Sequence, residues 1–137
     1  MVKILLVDDD PLLVRMYQKK FEIDGYQVSA LFDGERVQTE ALYFKPDLIL
    51  LDIMMPKVNG LEVLKKIKSD SKTKNIPVIL LTNLGGSQSD IDQGLELGAV
   101  SYLVKSNYTP KEVVEKVKEI LQATVRELPK VKTKITV

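Results

Sequence analysis

The chain has 137 residues, a formal net charge of +1, and neither cysteine nor histidine. This length fits one domain that buries a sufficient core without disulfides or metal ions to stabilise it. The composition excludes disulfides, thiol nucleophiles, structural zinc sites and mechanisms that use a histidine base. No apolar run is long enough for a signal peptide or a bilayer span, so we expect a soluble, cytoplasmic protein without membrane contacts.

The charge is unevenly distributed along the chain. Residues beyond Leu121 include four basic and one acidic side chain, a net +3, which leaves −2 for the preceding body. Phosphate contacts need clustered lysines and arginines. The mildly acidic body therefore argues against direct binding of nucleic acid and favours a signalling or catalytic module.

The first predicted strand, Lys3 to Val7, ends in three consecutive carboxylates, Asp8, Asp9 and Asp10. Pro11 follows, and proline is favoured at the first helical position after an N-cap, so Asp10 is predicted to cap the first helix. Like charges held this close raise one another's pKa unless a cation neutralises them. Asp8 and Asp9 therefore indicate a metal site.

The rest of the chain alternates short apolar runs with stretches of helical periodicity, which indicates a parallel sheet covered by helices. Four more strands are predicted at Gln27 to Phe32, Asp47 to Leu51, Pro77 to Leu81 and Ser101 to Val104. Three helices are predicted between them, at Gly34 to Phe44, Gly60 to Lys68 and Asp90 to Leu97, with Asp33, Asn59 and Ser89 as caps and Gly98 ending the last. Gly85, Gly86 and Ser87 are predicted to form a mobile loop.

The last helix opens with a capping box, Thr109-Pro110-Lys111-Glu112. We predict a domain over residues 1–122 and a C-terminal extension or linker over residues 123–137. Beyond Pro129, apolar or threonine side chains alternate with lysines, which leaves an amphipathic strand as the alternative to a frayed polar tail.

Polar groups that follow the predicted strands should meet at one edge of the sheet, where ligands of parallel sheets bind. This rule brings Asp8 and Asp9 together with Asp52, Thr82 and Lys105. Each has a role in phosphoryl transfer to a carboxylate. Asp52 is the candidate nucleophile, Lys105 neutralises the transferred group, and the Thr82 hydroxyl binds one of its oxygens.

The same reaction requires a cation among the carboxylates. Asp9 and Asp52 are predicted to hold Mg²⁺, a hard ion that prefers oxygen ligands and retains several waters. Asp8 would orient one of those waters, and a backbone carbonyl, most plausibly that of Met54, would complete the protein ligands.

Four motifs in this order resemble the receiver domain of two-component response regulators over residues 2–122. They are Leu6 to Pro11, Leu51 to Pro56 with Gly60, Leu81-Thr82, and Tyr102 to Lys105. The resemblance implies an α/β fold, a flavodoxin-like doubly wound five-stranded parallel sheet of order 2-1-3-4-5 with five helices.

The resemblance also implies a function in a phosphorelay. A histidine kinase or a phosphotransfer protein would phosphorylate Asp52 in an Mg²⁺-dependent reaction, followed by slow self-dephosphorylation, as expected of a signalling phosphoacceptor rather than an enzyme. Thr82 and Tyr102 would then reorient and switch the surface of the fourth helix, fifth strand and fifth helix. The output partner, an output domain outside this sequence, and homodimerisation on phosphorylation stay open.

Three features depart from the family pattern. Ser106 follows Lys105 where the family usually has proline, Asn83 follows Thr82 where a small residue is usual, and the spacing from Thr82 to Lys105 is one residue longer than expected. A binding module that works without phosphorylation is therefore an alternative. A Mg²⁺-dependent phosphatase ranks last, because such enzymes carry a second aspartate where this chain has Met54.

Overall fold

A computed structural model describes residues 1–55, 57–83 and 88–133, with side chains to residue 123. Five parallel strands form one sheet in the order β2-β1-β3-β4-β5, which confirms the predicted topology. The strands are Lys3–Val7 (β1), Gln27–Leu31 (β2), Leu48–Asp52 (β3), Val78–Thr82 (β4) and Ser101–Val104 (β5). The helices are Pro11–Ile23 (α1), Val37–Phe44 (α2), Gly60–Ser69 (α3), Gln88–Glu96 (α4) and Pro110–Thr133 (α5), with a 3₁₀ turn at Lys105–Asn107.

Helices cover both faces of the sheet, so the central strands are buried on both sides and read as continuous apolar runs. One core cluster joins Leu6 and Leu50 of the sheet to Phe21 of α1 and Val117 of α5. The other joins alternate strand residues to α2 and α3, through Val37, Leu64 and Ile67 among others. Of the helices that the structure describes, none is long and apolar enough to cross a membrane.

The predicted caps of three helices are confirmed. Asp10 accepts hydrogen bonds from the backbone N–H groups of Leu12 and Leu13 at the start of α1. Asn59 accepts one from the N–H of Leu61 at the start of α3. At α5 the capping box closes in both directions, between the Thr109 N–H and Glu112 and between the Glu112 N–H and the Thr109 hydroxyl.

Two strands extend one residue further than predicted, and this matters for the site. Asp52 is the last residue of β3 and Thr82 the last of β4, so both stay in the backbone ladder that sets their position. Phe32 lies beyond β2 and is exposed. Asp47 precedes β3, where its carboxylate accepts a hydrogen bond from the Lys3 N–H.

Two predicted helix starts are wrong. Asp33 accepts a hydrogen bond from the Glu35 N–H in a local turn, and α2 begins only at Val37, with no side-chain cap. The prediction failed because Asp and Gly favour turns as well as caps. Ser89 lies inside α4, one residue after its start at Gln88, and is therefore not its N-cap.

The C-terminal segment differs from the predicted strand. α5 continues to Thr133, so the strand alternative is wrong over residues 131–133. The unbroken helix also runs through residue 122, and the domain boundary placed there stays a prediction. Residues 134–137 and the Gly85 to Ser87 loop lie outside the described residues.

Candidate functional site

Three carboxylates lie together at the carboxyl edge of the sheet. Val7 pairs with Leu51 in the parallel register of β1 and β3, which places Asp8 beside Asp52. Asp8, Asp9 and Asp52 each offer an oxygen, and these oxygens all lie within 4.8 Å of one another. Asp8 and Asp52 are fully buried, whereas Asp9 is exposed.

Lys105 reaches the two buried carboxylates from the end of β5. Its Nζ lies 3.0 Å from Asp8 Oδ2 and 3.3 Å from Asp52 Oδ2, and its side chain is only 10% exposed. Ser106 follows within the 3₁₀ turn, and the peptide bonds that the structure describes are all trans. Although Ser106 replaces the usual proline, the Lys105 ammonium still contacts both carboxylates.

The electrostatics of this group are dominated by burial. Burial and the neighbouring Asp8 raise the pKa of Asp52 from 3.8 to about 7, although Lys105 and the Met54 N–H favour its charged form. Burial alone would lower the pKa of Lys105, but the carboxylates of Asp52 and Asp8 raise it above its ordinary value. Lys105 alone therefore does not offset the effects of burial and of Asp8 on Asp52.

The residues present fit a divalent cation. Three carboxylates against one lysine leave an excess of negative charge, and Asp8 adds to the effect of burial in raising the pKa of Asp52. Carboxylate oxygens at this spacing are the hard ligands that Mg²⁺ prefers. Asp9, the exposed member, is open to solvent and can bind an ion that keeps several waters.

We expect Asp52→Asn to change how stability depends on pH in metal-free buffer. Between pH 3.8 and about 7 the folded state keeps a proton that the unfolded state has released. The free energy of unfolding therefore falls as pH rises through this range. The variant lacks this loss, so at about pH 8 it should exceed the parent in stability by up to about 4 kcal/mol, and at about pH 4 by little.

Urea denaturation with a chelator present measures both proteins across the pH range. A difference in the free energy of unfolding that is the same at both pH values would contradict this interpretation. Asp10→Asn serves as the matched control, since Asp10 is exposed and asparagine caps helices as well as aspartate does.

The other predicted residues lie at the same edge of the sheet and differ in their hydrogen bonds and exposure. The Met54 N–H donates a 3.0 Å hydrogen bond to Asp52 Oδ1, and the use of the Met54 carbonyl as a ligand stays a prediction. Thr82 is buried, and its hydroxyl donates to the carbonyl oxygen of Asn83 at 3.1 Å. Tyr102, on the edge strand β5, is 38% exposed.

The burial of Tyr17 near the acids and the close packing of Gly60 were not predicted. Tyr17 of α1 is buried, and burial together with Asp8, Asp10 and Asp52 raises the pKa of its phenol. The only available sequence signal was its place on the buried stripe of the helix that opens at Asp10. Gly60 packs against the residues that follow the nucleophile candidate: its N–H donates to the Ile53 carbonyl at 2.9 Å, and a Cβ there would lie 2.6 Å from Ile53 Cα.

Comparison with known proteins identifies similar sequences. Residues 4–118 match the family described as response regulator receiver domain. The chain is 40% identical over 126 residues to the DNA-binding dual master transcriptional regulator RpaA of Synechocystis, covering 92% of this chain and 52% of that protein. It is 40% identical over 122 residues to the alkaline phosphatase synthesis transcriptional regulatory protein PhoP of Bacillus subtilis, covering 88% and 48%. The chain thus spans about half the length of these curated relatives.

Solved structures share the fold. A CheY-like response regulator receiver domain protein from Methanospirillum hungatei superposes with a TM-score of 0.83 at 27% identity, covering 93% of this chain and 98% of that one. The chemotaxis protein CheY4 of Vibrio cholerae gives 0.78 at 28% identity, covering 87% and 98%.

Proposed function

Because the chain belongs to the response regulator receiver domain family, we propose that it is a phosphoacceptor in which Asp52 takes a phosphoryl group from a phosphohistidine. The observation that carries the proposal is the buried carboxylate of Asp52, which shares the Lys105 ammonium with Asp8 at the carboxyl edge of a parallel sheet. The donor would be a histidine kinase or a phosphotransfer protein, and no histidine is needed in this chain.

In the proposed step, a carboxylate oxygen of Asp52 attacks the phosphorus as the phosphorus–nitrogen bond of the donor breaks. The electron pair of that bond stays on the imidazole nitrogen of the donor. Lys105 lies beside the attacking carboxylate and stabilises negative charge on the transferred oxygens. In the proposed slow dephosphorylation, water attacks the phosphorus, the bond to the Asp52 oxygen breaks, and inorganic phosphate leaves with Asp52 restored as a carboxylate.

Asp9 and Asp52 would hold Mg²⁺, with Asp8 orienting a bound water and the Met54 carbonyl completing the protein ligands. The ion would supply neutralising charge for the acids and the phosphoryl group. Thr82 would exchange its bond to the Asn83 carbonyl for one to a phosphoryl oxygen, and Tyr102 would follow. We propose that this rearrangement changes the surface of α4, β5 and α5.

Intact-mass spectrometry after incubation with Mg²⁺ and a small phosphodonor tests the proposal. The parent should gain one phosphoryl group and Asp52→Asn none. The competing proposal, a binding module that works without phosphorylation, is suggested by Ser106 and Asn83, the two residues that depart from the family pattern. In that case the parent and Asp52→Asn would bind the partner equally well, and a phosphoryl mimic would not change the binding.

The output is proposed from the relatives. Both transcriptional regulators are about twice the length of this chain. After phosphorylation of Asp52, the surface of α4, β5 and α5 would therefore act either on an output domain outside this sequence or on a separate partner. We propose that phosphorylation promotes a homodimer through α4, β5 and α5, and that this dimer passes the signal to the output.

We expect Asp9→Asn to weaken Mg²⁺ binding at least about tenfold, because it removes a direct ligand and one negative charge. Isothermal titration calorimetry of the intact chain measures this affinity. Asp10→Asn is the matched control: it removes the same charge one residue away, where Asp10 caps α1 and offers nothing to the ion. Equal affinities in the two variants would remove Asp9 from the metal site.

A further inference from the structure

The outer side of β2 has no neighbouring strand, because β2 is the first strand in the sheet order β2-β1-β3-β4-β5. The N–H of Gln27 and the carbonyl of Leu31 both bond to backbone groups that flank β1. Backbone groups of successive residues in a strand point alternately to one side and to the other. The N–H and C=O groups of Val28 and Ala30 therefore point away from the sheet.

These four backbone groups form a free edge. No side chain or loop among the described residues bonds to them, and α2 packs mainly against β1 and α3. Natural edge strands are commonly protected by charged residues, proline or a bulge. The segment from Gln27 to Leu31 contains neither a charged residue nor proline. The edge of β2 is therefore open to a further strand.

A carboxylate lies beside the middle of this edge. The Ser29 hydroxyl donates to Glu40 Oε2 at 2.6 Å, which holds the Glu40 side chain next to β2. Glu40 is partly buried, and no lysine or arginine among the described residues forms an ion pair with it. A partly desolvated carboxylate is stabilised by a hydrogen-bonding cation. The charge beside the edge therefore favours a strand that carries a basic side chain.

One antiparallel register satisfies all of these groups. If the third residue of an added five-residue strand faces Ser29, its second and fourth residues form hydrogen-bonded pairs with Ala30 and Val28. Each of the four free backbone groups then has a partner. The side chain of the third residue starts about 5 Å from the Ser29 Cβ. A lysine or arginine at that position can reach Glu40.

We propose that the edge of β2 binds an extended polypeptide segment with a basic residue at its centre. The backbone hydrogen bonds provide affinity, and Glu40 selects the central side chain. β2 and β5 are the opposite edges of the sheet, so this partner and a partner of the α4, β5 and α5 surface can bind together. Binding at β2 needs no phosphorylation of Asp52 and is independent of the proposed phosphoacceptor function.

The test is a titration of the intact chain with the peptide acetyl-Thr-Val-Lys-Val-Thr-amide, followed by NMR amide shifts at constant ionic strength. Saturable shifts should appear at Val28, Ala30 and Glu40, and the first two amides should exchange more slowly with solvent. A peptide with glutamate in place of the lysine should bind about tenfold more weakly. A peptide with proline as its second residue lacks one donor and should bind at least about tenfold more weakly.

Glu40→Gln isolates the contribution of the charge. Glutamine keeps an oxygen that can accept the hydrogen bond from Ser29, so the local structure should persist. Affinity for the lysine peptide should fall about threefold. Affinity for the glutamate peptide should rise, because the like charge is gone. A change that merely disturbed the edge would weaken both peptides, so the opposite signs identify the charge contact.

Ala30→Pro isolates the contribution of the backbone. It removes an N–H that points away from the sheet, where proline is tolerated in edge strands, and affinity for the lysine peptide should fall about tenfold or more. Ser101→Pro is the matched control at the opposite edge. Since the Val100 N–H donates to the carbonyl of Val78 in β4, the Ser101 N–H points outward from β5. This variant should bind the peptide as the parent does.

The proposal is overturned if the lysine peptide gives no saturable shift at β2, if the lysine and glutamate peptides bind equally well, or if both Ala30→Pro and Glu40→Gln bind as the parent does. Sedimentation equilibrium of the chain without peptide tests a second copy as the occupant. A dimer that Ala30→Pro dissociates and Ser101→Pro does not would assign the edge to self-association and likewise overturn the proposal.

Discussion

We expect Asp52→Asn to abolish phosphorylation of the chain by a small phosphodonor in the presence of Mg²⁺. An amide oxygen is a poor nucleophile, whereas the carboxylate of Asp52 is ionised above a pKa of about 7 and faces Lys105 at 3.3 Å. The change is nearly isosteric and removes a buried charge, so the fold should persist. Intact-mass spectrometry should show one added phosphoryl group on the parent and none on the variant.

Neighbouring carboxylates make the control important. Asp8 is equally buried and closer to Lys105, at 3.0 Å, so a mass gain alone does not identify the acceptor. Asp10→Asn should retain the full mass gain of the parent, since Asp10 serves as a cap. A gain that survives in Asp52→Asn would assign the phosphoryl group to another residue and contradict the proposed mechanism.

The second large effect is expected for Lys105→Met, which should slow phosphorylation about 10² to 10³-fold. Its ammonium is the one positive group within 3.3 Å of both buried carboxylates that the described residues provide. Methionine keeps much of the length of the side chain and removes the charge. Single-turnover rates at saturating Mg²⁺, followed by intact mass, measure the loss.

Lys118→Met is the matched control for Lys105→Met. Lys118 Nζ forms an ion pair with Asp24 at 2.9 Å between α5 and the end of α1, far along the sheet from the acids. The rate should remain within about twofold of the parent, because this ion pair makes no contact with the buried carboxylates of the site. If Lys105→Met also stayed in that range, charge stabilisation by this lysine would play no part in the reaction.

Much of the fold was predictable because local and global signals agree. Apolar runs located the five strands within a residue or two, and Asp10, Asn59 and Thr109 capped the predicted helices. The failures occurred where one signal has two meanings. Asp33 suits a turn as well as a cap, and the alternation beyond Pro129 that allowed a strand lies, up to Thr133, in a helix.

The residues that meet at the candidate site were predictable from the sequence, but the contacts among them were not. Parallel topology brought Asp8, Asp9, Asp52 and Lys105 to one edge, since their strands end there. The sequence did not indicate that Lys105 lies nearer to Asp8 than to Asp52, because 97 positions separate that pair. Distances of a few tenths of an ångström depend on side-chain packing across the whole edge, which no local pattern encodes.

The packing of Gly60 makes the site mechanically asymmetric. On one side of β3, the start of α3 is pressed against the backbone of Ile53 and hydrogen-bonded to it, so that the two segments must move as one body. On the other side, the hydrogen bond that the described residues give the Thr82 hydroxyl is the one to the neighbouring Asn83 carbonyl, which a competing acceptor can replace. A force applied at Asp52 should therefore be transmitted to Ile53 and the start of α3 together, whereas the Thr82 side chain can change its partner without moving α3.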